Sequence, residues 1–201
     1  MRAPIVIRMI IGRGWGQGPQ HSQSLQSWFG HVPGLKVVMP ARPDDAKGML
    51  ISAVKDDAPV LIFEHRWLYN LSGPVPETPD ARPLEGAKVV RQGRDVTIAA
   101  TSYMVIEALR AADELTAVGI NAEVIDLRCL TPIDTATLKG SLAKTGHLIV
   151  ADTGQAAFGV AAEVVSQASQ HAFQHLKAPP RCITPPHLPT PTTPALADLY
   201  Y

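Results

Sequence analysis

The sequence predicts an α/β protein with a mostly parallel sheet covered by helices on both faces, divided into two units. Three observations predict it. Short apolar runs rich in Val and Ile alternate with amphipathic helical patterns along most of the 201 residues. The alternation dissolves once, from Leu71 to Pro83, into Ser, Gly, Pro and Asp. It then resumes after Gly93 and runs on for several strand–helix repeats. The expected division is 1–70 for a first unit, 71–92 for a linker and 93–201 for a second unit. The second reads as a three-layer α/β/α domain. The first has three strands but few helices, and is expected to leave one sheet face uncovered.

Element by element, Ile5, Val6 and Ile7 form a β-branched run that reads as a buried strand. Gly12, Gly14, Gly16 and Gly18 follow at every second position. They favour an irregular loop whose backbone can approach a ligand or another chain. The loop closes on Gln20, His21, Ser22, Gln23 and Ser24, and Gln23–Phe29 suggests a short helix. Leu35–Met39 reads as a second strand, stopped by Pro40. Pro43, followed by Asp44 and Asp45, marks a helix start. Ala46, Met49, Leu50, Ala53 and Val54 then give that helix an apolar face. Val60–Phe63 is a third strand, and strand–helix–strand predicts a right-handed parallel crossover.

In the second unit, strands are expected at Val96–Ala100, Ala122–Leu127 and His147–Ala151. Helices are expected around Val105–Leu115, closed by Gly119, over Pro132–Ala143, and around Ala161–Ala172. The proline-rich tail from 179 to 194 reads as an extended arm packing on a partner. Residues 90–201 are expected to be the more soluble, cooperatively unfolding piece.

Eighteen basic and eighteen acidic residues leave zero formal charge, which argues against an electrostatic grip on nucleic acid or membrane. No stretch approaches the length of a membrane span. Cys129 and Cys182 have no metal-type spacing and point to a reducing compartment. The glycine run does not fit a dinucleotide loop: from Gly12 the sixth position is Gln17, and from Gly14 it is Pro19.

Two places invite chemistry. His21 can move a proton near neutral pH, or it can simply hydrogen-bond loop backbone. The helix end from Ala53 to Pro59 offers carbonyls that could hold a hard cation, or it is an ordinary capped terminus. His31, His65, His147, His171, His175 and His187 read as structural. His171 and His175 would share a helix face but have no third ligand. Glu123, Asp126 and Arg128 suggest a strand terminus or a subunit interface, and Trp15, Trp28 and Trp67 suggest core or interface.

The segments PIVIR, the glycine loop, QHSQSLQSWFGHVPGLKVVMP and DAKGMLISAVKDDAPVLIFEHRWLY carry a more specific signal, continued by GRDVTIA, AEVIDLR, LTPID and KTGHLIV. Together they resemble the β subunit of thiamine-diphosphate-dependent 2-oxo acid dehydrogenases, the E1 component, collinearly over essentially the whole chain. Transketolase and deoxyxylulose-phosphate synthase share the domain plan but not the QHSQS block. One departure is Arg8-Met9-Ile10-Ile11-Gly12, where the family more often has Arg-Gly-x-x-Gly.

The resemblance implies a partial pyrimidine-binding domain followed by a transketolase C-terminal-like domain, in a fragment lacking the N-terminal part. It implies oxidative decarboxylation of a 2-oxo acid with acyl transfer to lipoyl groups, by a chain inactive alone. Thiamine diphosphate would be shared with an E1 α subunit that also carries Mg²⁺, and no cofactor-binding residue carries over to this sequence. His21 would lie at the mouth of the active-site channel, and K⁺ would sit on the backbone carbonyls of Ile5, Ala53, Asp56 and Ala58. The implied partners are the E1 α subunit, a second β subunit in a heterotetramer, and the lipoyl domain of E2. The implied compartment is a bacterial-type cytoplasm or otherwise a reducing compartment. Two other readings remain: a fragment of another transketolase-superfamily enzyme, and a non-catalytic assembly module.

Overall fold

The computed structural model describes residues 2–13 and 16–201; Gly14 and Trp15 of the loop fall outside them. The first sheet holds β1 (Val6–Ile11), β2 (Lys36–Val38) and β3 (Val60–His65) in the order β1-β3-β2, all parallel. Central β3 buries Val60, Leu61, Ile62 and Phe63 in succession, which is why it reads as an unbroken apolar run. Instead of one helix over Gln23–Phe29 there are two short ones, α1 (Gly18–His21) and α2 (Gln26–Gly30). Pro19 sets the backbone of α1, so the loop contains a helical turn despite its glycines.

Helix α3 (Pro43–Lys55) is the crossover between β2 and β3, with Pro43 in its first turn, Asp44 and Asp45 beside it, and Lys55 in its last turn. It buries Met49 and Ala53 against Val38, Val60 and Ile62 on one sheet face. The opposite face, carrying Val37, Leu61 and Phe63, is not bare. It shares one core with Leu127, Leu130 and Leu138 of the second unit. Residues 128–131 also run beside β2: Met39 N–H donates to Arg128 O at 2.7 Å and Leu130 N–H to Val37 O at 2.8 Å. Exposed surface remains along β1, where Ile10 is 54% exposed, and at Ile5 just before it, so this run is not the buried strand the sequence suggests.

The second sheet runs β4-β6-β5-β7-β8, with β4 (Lys88–Arg91), β5 (Val96–Ala100), β6 (Ala122–Asp126), β7 (Leu148–Ala151) and β8 (Arg181–Ile183). All its pairings are parallel except β4 with β6. Helices α4 (Met104–Ala117), α5 (Thr135–Thr145) and α6 (Val160–Ala172) connect and cover it. Asp134 caps α5 by accepting from Thr137 N–H, so that helix starts three residues later than Pro132 suggests.

The stretch from 71 to 92 is more than a linker. Arg82 N–H donates to Gly48 O of α3 at 3.0 Å, and residues 88–91 form the antiparallel edge strand. The tail differs too: β8 joins the sheet, and α7 (Pro194–Tyr200) folds back on its own chain. His171 lies in α6 but His175 lies in a separate 3₁₀ turn, so they do not share a regular helix face. Trp28 is 68% exposed rather than core. No helix among the described residues is long and apolar enough to cross a membrane.

Candidate functional site

The glycine loop leaves the C-terminal end of β1 and is held first by its neighbours in the sheet. Gly12 has φ +78°, and its N–H donates to Gln23 O at 3.2 Å, drawing the two ends of the loop together. A Cβ there would fall 2.0 Å from His65 Nε2, so only glycine lets the strand end pass the imidazole. His65 ends β3 and is 4% exposed. Its ring stacks on Tyr103 at 4.9 Å, and its Nδ1 accepts the Trp67 N–H at 3.2 Å. Burial, helped by the Arg66 and Arg13 charges, pushes its pKa down to about 4. His65 is therefore a neutral structural imidazole at pH 7.

His21 sits at the last position of α1 and is exposed. Its backbone carbonyl accepts from Arg66 Nη2 at 3.0 Å, and Gln23 Nε2 closes the turn onto Pro19 O at 2.8 Å. The backbone is fixed while the ring faces solvent, an arrangement suited to proton exchange with an incoming group. Arg13 lies between two aromatic faces, 4.4 Å from the Trp67 centroid and 4.7 Å from that of Tyr201.

The loop faces the C-terminal edge of the second sheet, at the point where β6 and β7 flank β5 on opposite sides; open α/β sheets place ligands there. Asp152, directly after β7, is 1% exposed and accepts from Thr101 Oγ1 at 2.5 Å and Gln26 Nε2 at 3.0 Å. Burial raises its pKa to about 6. Through Gln26 of α2, this carboxylate ties the segment after the loop to the second unit. A cleft of ≈ 470 Å³ between the units is lined by Arg13, His65, Trp67, Tyr103, Asp152 and Tyr201.

Ile5, Ala53, Asp56 and Ala58, the residues expected to hold K⁺, lie around the opposite, N-terminal end of the first sheet. Ile5 O accepts Val60 N–H at 2.9 Å and Ala53 O accepts Asp56 N–H at 3.3 Å, leaving each a second lone pair. Asp56 pairs with Lys36 at 2.5 Å and accepts from Ala58 N–H. His21 and this carbonyl group are thus at different ends of the sheet. Glu123 is buried and paired with Lys144, while Asp126 ends β6 and Arg128 bridges to buried Asp45 of α3 at 2.9 Å. Asp126 and Arg128 mark a strand terminus and a contact between the units, while the Glu123–Lys144 pair lies within the second unit.

Neither end of a thiamine diphosphate fits the described residues by themselves. Glu64, the acid on β3, has its oxygens engaged by Arg8 at 2.9 Å and by Tyr69. No group of three or more His, Cys, Asp or Glu among the described residues could hold a metal ion. Sequence reasoning did not single out Arg13, Arg66, Gln26, Asp152 or Tyr201. The alternating glycines were the one local sign that something packs closely there.

Fold and site together define a two-unit α/β protein whose glycine loop reaches the cleft between the units through Arg13, with His21 exposed on the same loop outside the cleft lining. Residues 1–72 match the model of the transketolase pyrimidine-binding domain, and residues 85–201 that of the transketolase C-terminal domain. The chain belongs to the transketolase family, whose E1 branch is in general thiamine-diphosphate dependent. It is 46% identical to the acetoin:2,6-dichlorophenolindophenol oxidoreductase subunit beta of Cupriavidus necator, over 98% of this chain and 58% of that protein. The Bacillus subtilis protein of the same name is 42% identical, over 99% of this chain and 58% of its own length. The mitochondrial pyruvate dehydrogenase E1 component subunit beta of Bos taurus is 40% identical, over 97% and 56%. A solved structure described as a split gene transketolase, inactive beta4 tetramer, superposes with a TM-score of 0.77 at 26% identity, over 99% of this chain and 62% of that one. The chain spans little more than half the length of the curated relatives it matches.

Proposed function

We propose that these residues form the β-subunit wall of a thiamine-diphosphate-dependent E1 active site, in which a 2-oxo acid is oxidatively decarboxylated and its acyl group passed to a lipoyl group. The observation that carries the reading is the QHSQS turn. His21 is exposed on the loop that leaves β1, its backbone carbonyl held by Arg66 just beyond the end of β3, in a chain whose relatives are named E1 β subunits. His21 donates to, or takes a proton from, the group arriving at the site, and neutral His65 holds the loop end in place. Thiamine diphosphate and Mg²⁺ are assigned to an α-type partner and to parts of the longer relatives outside these 201 residues. A second β copy and the E2 lipoyl domain complete the assembly, a heterotetramer in a reducing, cytoplasmic-type compartment. Free Cys129 and Cys182 are in keeping with that compartment.

K⁺ on the carbonyls of Ile5, Ala53, Asp56 and Ala58, and catalysis by His21, belong to the same proposal, with the domain boundary between the matched stretches 1–72 and 85–201. Acetoin as substrate is the second reading, favoured by the 46% identity to an acetoin oxidoreductase β subunit. The test is calorimetric titration with thiamine diphosphate and Mg²⁺. Binding is expected when a β subunit of full length is combined with an α-type subunit and not for the 201-residue chain alone; micromolar binding by the chain alone would contradict the shared site.

A further inference from the structure

The tail of this chain lies across the loop that carries His21. Tyr200 is 8% exposed; its hydroxyl donates to Leu188 O at 2.7 Å and accepts from Gln155 Nε2 at 3.1 Å. Those bonds close residues 188–201 into a hook anchored on the second unit. Two contacts reach from the hook to the loop. Thr192 lies so close to Gly18 that a Cβ on that glycine, at φ +57°, would fall 2.4 Å from the threonine Oγ1. The Tyr201 ring forms one face of the sandwich around the Arg13 guanidinium, with Trp67 as the other.

The loop is thus gripped from two sides. His65 and Arg66 of the first unit hold Gly12 and the His21 carbonyl, while the hook holds Arg13 and Gly18. The second grip matters because a glycine-rich segment loses the most backbone entropy on ordering and has few side chains of its own to pack. A guanidinium between two rings is a specific, partly desolvated contact suited to that task. We infer that Tyr201 and Thr192 are positioning residues: the hook fixes the loop that presents His21. The inference rests on the proton-handling role of His21, and its test separates the two.

Hydrogen exchange of the 201-residue chain reads the grip without any turnover. Tyr201→Ala should raise exchange of the amides from 16 to 23 by roughly tenfold, the scale of losing one partly desolvated cation–π contact, with β3 and β5 unchanged. Tyr201→Phe should behave as wild type, because it offers the same ring face to Arg13. In the enzyme assembled with an α-type subunit and the full β-subunit length, Tyr201→Ala should lower kcat for lipoyl acylation and leave KM for the 2-oxo acid unchanged, with Tyr201→Phe restoring it. Unchanged loop exchange in Tyr201→Ala, an equal rise in β3 and β5, or a Tyr201→Phe loop as open as the alanine variant would each overturn the inference. If the loop opens and only Tyr201→Ala leaves acyl transfer intact, the positioning role is wrong. If His21→Ala leaves it intact as well, the reading of the site itself is wrong, and the positioning role falls with it.

Discussion

Replacing Gly12 by alanine tests the packing that shapes the loop. At φ +78° an L-residue places its Cβ against the following carbonyl, at a cost of about 1–2 kcal/mol. The new methyl would also lie 2.0 Å from Nε2 and 2.1 Å from Cδ2 of His65, far inside van der Waals contact. That ring cannot turn aside cheaply, because it stacks on Tyr103 at 4.9 Å and holds the Trp67 N–H. Overpacking of this kind costs about 1–3 kcal/mol, so Gly12→Ala should destabilise by about 2–5 kcal/mol in all. A urea titration followed by tryptophan fluorescence measures it. Crossing it with His65→Ala isolates the clash, since the methyl then has the space the ring left. The double variant should be about 1–3 kcal/mol more stable than the sum of the singles predicts. Additivity within about 0.5 kcal/mol would show that the imidazole does not lie over Gly12.

Three further outcomes follow from the buried charges. His65 has a folded pKa of about 4, below its ordinary value, so between pH 6.5 and 4 the unfolded chain binds a proton that the folded chain refuses. Stability should fall by up to about 3 kcal/mol across that window, and His65→Gln should flatten the slope of urea midpoint against pH. Asp126 runs the other way: burial, with Asp45 adding, raises its pKa to about 7, so the stability of its protonated form is lost as pH rises from about 4 through 7. Asp126→Asn should gain up to about 4 kcal/mol relative to wild type over that rise, read as a pH-dependent difference in melting temperature. Arg128→Met should cost about 1.5–3 kcal/mol by chemical denaturation, because fully buried Asp45 would lose its 2.9 Å partner and keep only Lys88 at 3.6 Å; a loss under about 1 kcal/mol would deny that the Arg128 pair joins the units.

The regular elements were legible because their apolar residues form continuous runs or helical stripes and their ends carry start signals. β3 is apolar at four successive positions, and α3 carries its start signals in Pro43, Asp44 and Asp45. β4 and β8 were not, since β4 is half-buried throughout and all three residues of β8 are exposed, so neither shows alternation. Both exist through backbone pairing with β6 and β7. The face of the first sheet expected to lie open is covered by residues such as Leu127 and Leu130, more than sixty positions away from Phe63 in the chain. For the same reason residues 90–201 should not behave as an independent piece, because isolating them would bare that shared core. At the candidate site, the QHSQS block is what singles out His21 in the sequence. Arg66, Asp152 and Tyr201 act through contacts between residues far apart in sequence, which leave no local pattern.

His21→Ala, in the enzyme assembled with an α-type subunit and the full β-subunit length, bears most directly on the account. The comparison is acyl transfer to the lipoyl acceptor against decarboxylation read with an artificial electron acceptor, alongside the melting temperature. The account predicts that acyl transfer drops by roughly 10²-fold or more, the scale of losing a positioned acid–base group. The fold should be unaffected, because the His21 ring is exposed and only its backbone carbonyl is held. Both rates near wild type in a variant that melts earlier would contradict it and leave His21 a structural residue.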